Sequence, residues 1–369
     1  MAEPLTIVEV TGRLGIGGVE THVSRLARGL MGRGHRVVLL TRDPGVYGDE
    51  AKDAGADLMV VPFNRSGLPQ AVELLLPIEP DIVHAHNYRA ARFGAPLARA
   101  LERPYLMTVH GPRPWWKRIF FDGWSNTILT VSEADKDHIV GPFGVSADRI
   151  EVGFLGVDTE EFRPGLDTAG LRADWDVPDD RPLILNVSRF THRKARPALT
   201  LIEALPAVRE EIPGTCAVLV GTGDELDRMH AAAEEGNRRL RERATVVAGP
   251  RTDIPRVMNA ADVVVATATT ATEALAAAAP TIAYGRTGYF GIVTPDNFER
   301  ARALCFADHG RLPAARPETF AADLVALLRD PAAARRAAAE ARNIIATNYS
   351  VERMVDHVES VYRRLIESG

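Results

Sequence analysis

Leu5-Thr6-Ile7-Val8-Glu9-Val10 runs into Gly12-Arg13-Leu14-Gly15-Ile16-Gly17-Gly18, and Val19, Val23, Leu26, Ala27 and Leu30 follow. The first segment is short, apolar and β-branched, which reads as a buried strand. The second is a glycine-rich turn. In the third, apolar residues recur at +4, +7, +8 and +11, one face of a helix, and Gly32 and Gly34 end it. Strand, turn and helix in that order open a βαβ unit. The same alternation continues outward, with strands expected at residues 37–40, 58–61, 81–84, 105–109 and 127–131. Helices are expected at residues 69–76 and 89–101, and Ser132 reads as an N-cap with Asp135 three residues on. The pattern breaks over residues 153–178, rich in Gly, Pro and Asp. It restarts with strands at 183–187, 217–220, 245–247, 263–266 and 281–283. Alternating strands and helices specify a mainly parallel sheet. The expected class is therefore α/β, with two doubly wound Rossmann-like domains facing each other across a cleft. Ligands of such sheets bind at the carboxyl ends of the strands.

Composition agrees with two folded domains. A chain of 369 residues exceeds one ordinary core. With 46% apolar and 25% charged residues it is neither disordered nor collagen-like. No stretch approaches the roughly 18 apolar residues of a membrane span. Met1-Ala2-Glu3-Pro4 supplies no basic start for a signal peptide, so a cytoplasmic protein is expected. Cys216 and Cys305 stand far apart without CxxC spacing, which disfavours a disulfide framework and a cysteine zinc site. The net charge is −5 and the basic residues are scattered, so no nucleic-acid partner is expected.

Several residues could carry chemistry. Backbone N–H groups of the turn containing Gly17 and Gly18 could hold an anion at a helix start. The spacing is not GxGxxG, and a tight turn needing positive φ explains the glycines equally well. Arg189 and Lys194, in Asn186-Val187-Ser188-Arg189-Phe190-Thr191-His192-Arg193-Lys194, follow the first strand of the second half. Two cations there could clamp a diphosphate, Arg as a fork and Lys as a point charge; a solvated basic loop is the plainer alternative. Gly221-Thr222-Gly223 ends the next strand. Glu273 stands near a helix start after Thr267-Ala268-Thr269-Thr270-Ala271-Thr272, where it could accept ribose hydroxyls or only complement the helix dipole. His84, His86 and His110 end strands. A His-x-His pair could suggest metal, but no carboxylate or cysteine completes a ligand set, so metal is the lesser reading and none is expected. Asp135-Lys136-Asp137 reads as a solvated helical face rather than a metal-binding DxD. Trp115-Trp116-Lys117-Arg118-Ile119-Phe120-Phe121 interleaves aromatics and cations. It suits a membrane interface, a bulky acceptor, or a core helix with a basic rim.

Taken in order, these motifs resemble glycosyltransferase family 4, retaining enzymes of the GT-B fold. Gly17-Gly18-Val19-Glu20 resembles the family's GGxE turn, and Asp81-Ile82-Val83-His84-Ala85-His86 its D-x-x-H-x-H strand. Thr130-Val131-Ser132 and Gly156-Val157-Asp158-Thr159-Glu160-Glu161-Phe162 are similar to its linker. Val187-Ser188-Arg189 with Lys194 resembles the phosphate loop, and Val220-Gly221-Thr222-Gly223 the G-x-G turn. Glu273-Ala274-Leu275-Ala276 and Pro280-Thr281-Ile282-Ala283 resemble E-A-M-A and P-V-I-A. The resemblance covers nearly the whole chain. It implies an acceptor-side domain over residues 1–160, to which a helix at 350–369 returns, and a donor domain over 161–349. It implies transfer of a hexose with retention from a nucleotide-diphosphate sugar, UDP-linked by family habit, without metal or cofactor.

The resemblance also assigns roles. Arg189 and Lys194 would bind the diphosphate, Glu273 the ribose, and His110 the donor sugar. Gly17, Gly18, Gly221, Gly223, Thr270 and Thr272 would line the donor. His86, Trp115 and Trp116 are the acceptor-side candidates. The acceptor is a sugar, lipid or small molecule, and a lipid would bring the protein to the inner face of the membrane. One departure stands out. The family's E-x7-E has Val265 where its first glutamate belongs. That keeps two alternatives open: a nucleotide-sugar-binding protein without transfer, and a nucleotide-sugar epimerase of the same fold.

Overall fold

The computed structural model describes residues 3–114 and 121–368. The chain forms two compact units, Met1–Gly156 with Tyr349–Gly369, and Val157–Asn348. Trp115 and Trp116 lie outside the described residues.

The first unit is built on β1 (Thr6–Thr11), β2 (Arg36–Thr41), β3 (Asp57–Val60), β4 (Ile82–His86), β5 (Tyr105–Val109), β6 (Ile128–Thr130) and β7 (Ile150–Val152). They form one parallel sheet in the order β3-β2-β1-β4-β5-β6-β7. β7 escapes a sequence reading because it has three residues, and only Ile150 is fully buried. Strand alternation assigns the faces. Val8, Val10, Val83, Ala85, Met107 and Val109 pack in one core layer. Leu5, Ile7, Ile82 and Leu106 pack in the other, beneath the helix Gly18–Gly32 and the final helix Val351–Ser368. The final helix supplies Met354, Val355, Val358, Val361 and Tyr362 to that layer, the apolar face its spacing encodes. The two helices approach closely at Gly29, where a Cβ would lie 2.5 Å from Val355 Cγ2.

The same alternation carries Glu9, His84 and His86 onto the face shared by Ile7 and Ile82. All three side chains are fully buried, and His86 ends β4. Ser132 caps the helix Glu133–Phe143 by accepting from the Asp135 amide at 3.2 Å. Asp135 itself is buried, not on a solvated face. The helix turns that residue inward while Asp137 stays exposed.

The second unit contains β8 (Leu183–Val187), β9 (Cys216–Val220), β10 (Thr245–Gly249), β11 (Val263–Ala266), β12 (Thr281–Gly285) and β13 (Gly288–Ile292). The order is β10-β9-β8-β11-β12-β13, and the only antiparallel neighbour is β13 on β12. In both units the strand order reverses beside the first strand, which is where doubly wound sheets place ligands. Gly285-Arg286-Thr287-Gly288 forms the β12–β13 turn. Glycine-rich and short, it reads as a loop in the sequence.

Candidate functional site

In the second unit, the loop after β8 carries Arg189 and Lys194. It is anchored by Phe190, which is fully buried. Ser188 N donates to Val220 O at 3.1 Å and Phe190 N to Thr222 O at 2.9 Å, so the loop lies directly on the turn after β9. That explains Gly221 and Gly223. Both have φ of +154°, and a Cβ at either would lie 1.8 Å from Ser188 O or 2.3 Å from Phe190 O. Their immediate task is to let the two loops touch and hold Arg189 in place.

Lys194 Nζ lies 3.7 Å from Asp308 Oδ1, and Arg286 Nε lies 3.4 Å from the same oxygen. Burial lowers the Lys194 pKa, Arg189 and Arg286 push it the same way, and Asp308 opposes them. Three cations thus converge at the carboxyl ends of β8 and β12: Lys194 and Arg286 share the Asp308 carboxylate, and Arg189 is near enough to act on Lys194. Asp308 follows three successive left-handed residues, Cys305 (φ 47°), Phe306 (φ 47°) and Ala307 (φ 71°). Such a run is costly for non-glycine residues. It is held by Thr267 Oγ1 donating to Phe306 O at 2.7 Å and Thr287 Oγ1 to Ala307 O at 2.8 Å. Nothing in the local sequence signals this conformation, so Asp308 carries no sequence mark of a site residue, whereas Arg286 lies in the glycine-rich stretch 285–291 that the sequence offers as a replacement lining for the sugar pocket. Asp308→Asn removes the competing carboxylate and is expected to tighten inorganic pyrophosphate binding about 2–5-fold. Calorimetry checks this, and unchanged affinity would separate Asp308 from the anion site.

The helix Ala268–Ala276 starts directly after β11. Glu273 is its sixth residue, not a first-turn residue, and is 8% exposed. A helix-dipole role, confined to the first turn, does not account for it. Thr270 is half-buried and shares its face at i, i+3. Thr272 Oγ1 is committed to Thr269 O at 2.7 Å, so its hydroxyl proton serves the helix. Val265 sits within β11, paired to Asn186 and Ile282, so the family's missing glutamate has no loop position here.

In the first unit, Gly17 is the N-cap of the helix Gly18–Gly32 with φ of 171°, an extended backbone open to any residue. Gly12 and Gly15 also lie outside the left-handed region, so the reading of a turn that needs left-handed glycine does not hold. A Cβ at Gly15 would meet nothing within 4 Å. At the carboxyl ends of β1, β4 and β5 lies a buried polar cluster. His86 Nε2 is 2.6 Å from Glu9 Oε2, and His86 Nδ1 is 3.0 Å from His110 Nε2. His84 Nδ1 is 2.6 Å from Tyr362 Oη, and His84 Nε2 is 2.7 Å from Thr108 Oγ1. Tyr362 Oη donates to Glu9 Oε1 at 2.7 Å. His22 packs edge-on to His110, with ring centroids 4.7 Å apart.

A carboxylate therefore does stand beside the His-x-His pair, contrary to the sequence reading. It comes from the middle of an apolar strand 75 residues earlier in the chain, counting from Glu9 to His84. The single charged residue in Leu5-Thr6-Ile7-Val8-Glu9-Val10 was the available signal. Two groups, His22 with His86 and His110, and Glu9 with His84 and His86, bring ligand atoms within 4.8 Å of one another. In the second group the facing atoms already share hydrogen bonds, so proton sharing explains the arrangement.

Burial drives the Glu9 carboxyl up, but the charges and hydrogen bonds of His84 and His86 outweigh it and hold the pKa far below the usual range. Burial, with His84 beside it, lowers His86 to about 4 despite the bond from Glu9. His22 is lowered too, chiefly by burial. A histidine whose folded pKa is depressed stabilises the fold fully above its unfolded value. It loses that contribution as pH falls from about 6.5 through about 4. The melting temperature of the chain is expected to drop by about 5 °C or more across that window. A flat profile from pH 7 to 4 would show that the cluster titrates as it does unfolded.

The structure thus brings together Arg189 and Lys194 in one cluster, with Gly221 and Gly223 shaping it, and His86 with His110 in another. Thr270 and Glu273 share a helix face. Among the described residues, no helix is long and apolar enough to cross a membrane.

The comparisons with known proteins match both units. A model described as Glycosyltransferase Family 4 matches residues 16–161, and one described as Glycosyl transferases group 1 matches residues 167–344. The chain is 25% identical over 240 residues to an uncharacterized glycosyltransferase of Methanocaldococcus jannaschii, covering 58% of this chain and 61% of that protein. It is 25% identical over 260 residues to a GDP-mannose-dependent alpha-(1-6)-phosphatidylinositol monomannoside mannosyltransferase of Mycobacterium tuberculosis, covering 64% and 65%. It therefore spans under two thirds of either protein. Against Mycobacterium tuberculosis glycogen synthase it is 26% identical over 403 residues, covering 94% and 91%. In structure it is similar to a glycosyltransferase from Rickettsia africae, with TM-score 0.81, 19% identity and 100% of both chains covered. Anabaena HepE in complex with UDP gives TM-score 0.77 at 18% identity, covering 98% and 100%. With both units matched in sequence and the full length matched in fold, the chain belongs to the family 4-like glycosyltransferases of the GT-B fold.

Proposed function

We propose that the protein transfers a hexose from a nucleotide-diphosphate sugar to an acceptor, with retention and without a metal ion. The observation that carries this is the convergence of Arg189, Lys194 and Arg286 at the ends of β8 and β12. The leaving diphosphate gains charge as the glycosidic bond breaks. Cations already fixed in place stabilise that charge without reorganising. Glu273 accepts the ribose hydroxyls, and Thr270 lies one turn before it. His110 touches the donor sugar, as the family resemblance implies. Retention follows when the acceptor attacks on the leaving-group face, with the departing phosphate oxygen taking its proton. UDP-sugars are the first donors to examine, since HepE, of the same fold, is seen with UDP-glucose. GDP-sugars are the second, since a relative is GDP-mannose-dependent.

A thermal-shift panel of nucleoside diphosphates in the presence of a chelator tests the reading. A ligand at about 100 times its Kd adds roughly 2.7 kcal/mol of stability. No shift with any diphosphate, or a shift only after magnesium or manganese is added, would overturn it. Donor turnover by the purified chain then separates a transferase from a protein that only binds nucleotide sugars.

A further inference from the structure

We propose that Glu9 is a positioning residue, which through His86 fixes the nitrogen of His110 that carries the proton. A carboxylate only accepts hydrogen bonds, so at 2.6 Å the proton lies on His86 Nε2. A neutral imidazole has one N–H, so His86 Nδ1 must accept. The partner 3.0 Å away is His110 Nε2, which therefore donates. His110 is left with its lone pair on Nδ1, the nitrogen that can accept a hydrogen bond from a sugar hydroxyl.

A doubly protonated His86 would aim its second proton at His110 and reverse the assignment. Burial and His84 hold His86 at about 4, so the order stands across the neutral range. Glu9 cannot swing away. Its other oxygen accepts from Tyr362 Oη at 2.7 Å, and Tyr362 comes from the final helix. His84 Nδ1 adds a contact 3.2 Å from Glu9 Oε2. Facing groups on the covering helix Gly18–Gly32 are His22 and Arg25, both buried. Burying a carboxylate carries a large desolvation penalty. The neighbouring strand positions Ile7 and Ile82 show that this layer is otherwise apolar. A residue of that cost, aimed at the ring that touches His110, is accounted for by the proton it orders.

The kinetic consequence rests on the reading that His110 touches the donor sugar; the tautomer does not. Long-range ¹H–¹⁵N correlation on the full-length chain with labelled histidine, at pH 7.5, reads the tautomers directly. The His110 signals are identified by their loss in His110→Gln. The expected result is an Nε2–H tautomer for both His86 and His110. In Glu9→Gln, Tyr362 holds the amide oxygen, so the amide N–H₂ group faces His86 Nε2. Both histidines are then expected to become Nδ1–H. The kcat should fall about 3–10-fold with donor KM within about twofold. Tyr362→Phe, which leaves the carboxylate on His86, should keep the native tautomers. An Nδ1–H tautomer for His110 in the wild type overturns the proposal, even if Glu9→Gln fails to fold. So does an unchanged tautomer in folded Glu9→Gln. Turnover unaffected by His110→Gln would instead end the sugar-contact reading and leave the tautomer assignment standing.

Discussion

Replacing Arg189 or Lys194 by alanine is expected to lower donor kcat/KM about 10- to 100-fold each. Charge-assisted hydrogen bonds contribute about 1.5–3 kcal/mol, and each 1.36 kcal/mol is tenfold in rate. The two effects should not add in full. Lys194 and Arg286 share Asp308, so removing Lys194 leaves that carboxylate paired with one cation. The double variant should bind diphosphate less well than either single variant, while a Lys194→Arg variant recovers part of the loss. Steady-state kinetics with saturating acceptor check this. If both single variants keep wild-type turnover, the loop after β8 does not hold the diphosphate. Melting curves accompany the kinetics, because Lys194 is half-buried and Phe190 anchors the same loop.

Glu273→Gln is expected to weaken nucleoside diphosphate binding by about 1–3 kcal/mol, with the fold intact. A carboxylate can accept two ribose hydroxyls, and glutamine keeps the shape while accepting less well. The position argues against a merely electrostatic surface role. Glu273 lies in the second turn of the helix Ala268–Ala276 and is buried, whereas dipole complementation is a first-turn effect. Melting temperature and nucleotide affinity of the one variant separate the two roles. A lower melting temperature with unchanged affinity would make Glu273 structural.

Much of the fold is legible because its signals are local. The strand Thr6–Thr11 and the helix Gly18–Gly32 each announce themselves by period. β7 and β13 are not legible. One is three residues long, and the other returns through a four-residue glycine-rich turn that also reads as a loop. The site divides the same way. Arg189, Lys194 and Glu273 follow strands, so position along the chain points to them. Asp308 and Arg286 depend on a left-handed run and a hairpin, which leave no periodic trace. Glu9 is the most instructive case. Alone in an apolar strand it suggests an interruption. Only the register of β1 against β4 shows that it meets two histidines. Glycine carries a similar lesson. Gly221 and Gly223 are required by neighbouring carbonyls, whereas Gly17 has an ordinary extended backbone.

The most direct test of the central claim is calorimetric titration of UDP, and then GDP, into the full-length chain in the presence of a chelator, beside the Arg189→Ala/Lys194→Ala variant. The account predicts saturable binding of at least one diphosphate to the wild type, its monophosphate binding more weakly, and loss of at least about 100-fold in affinity in the variant. Equal affinity in the two proteins, or no binding of either diphosphate without added metal, would contradict it.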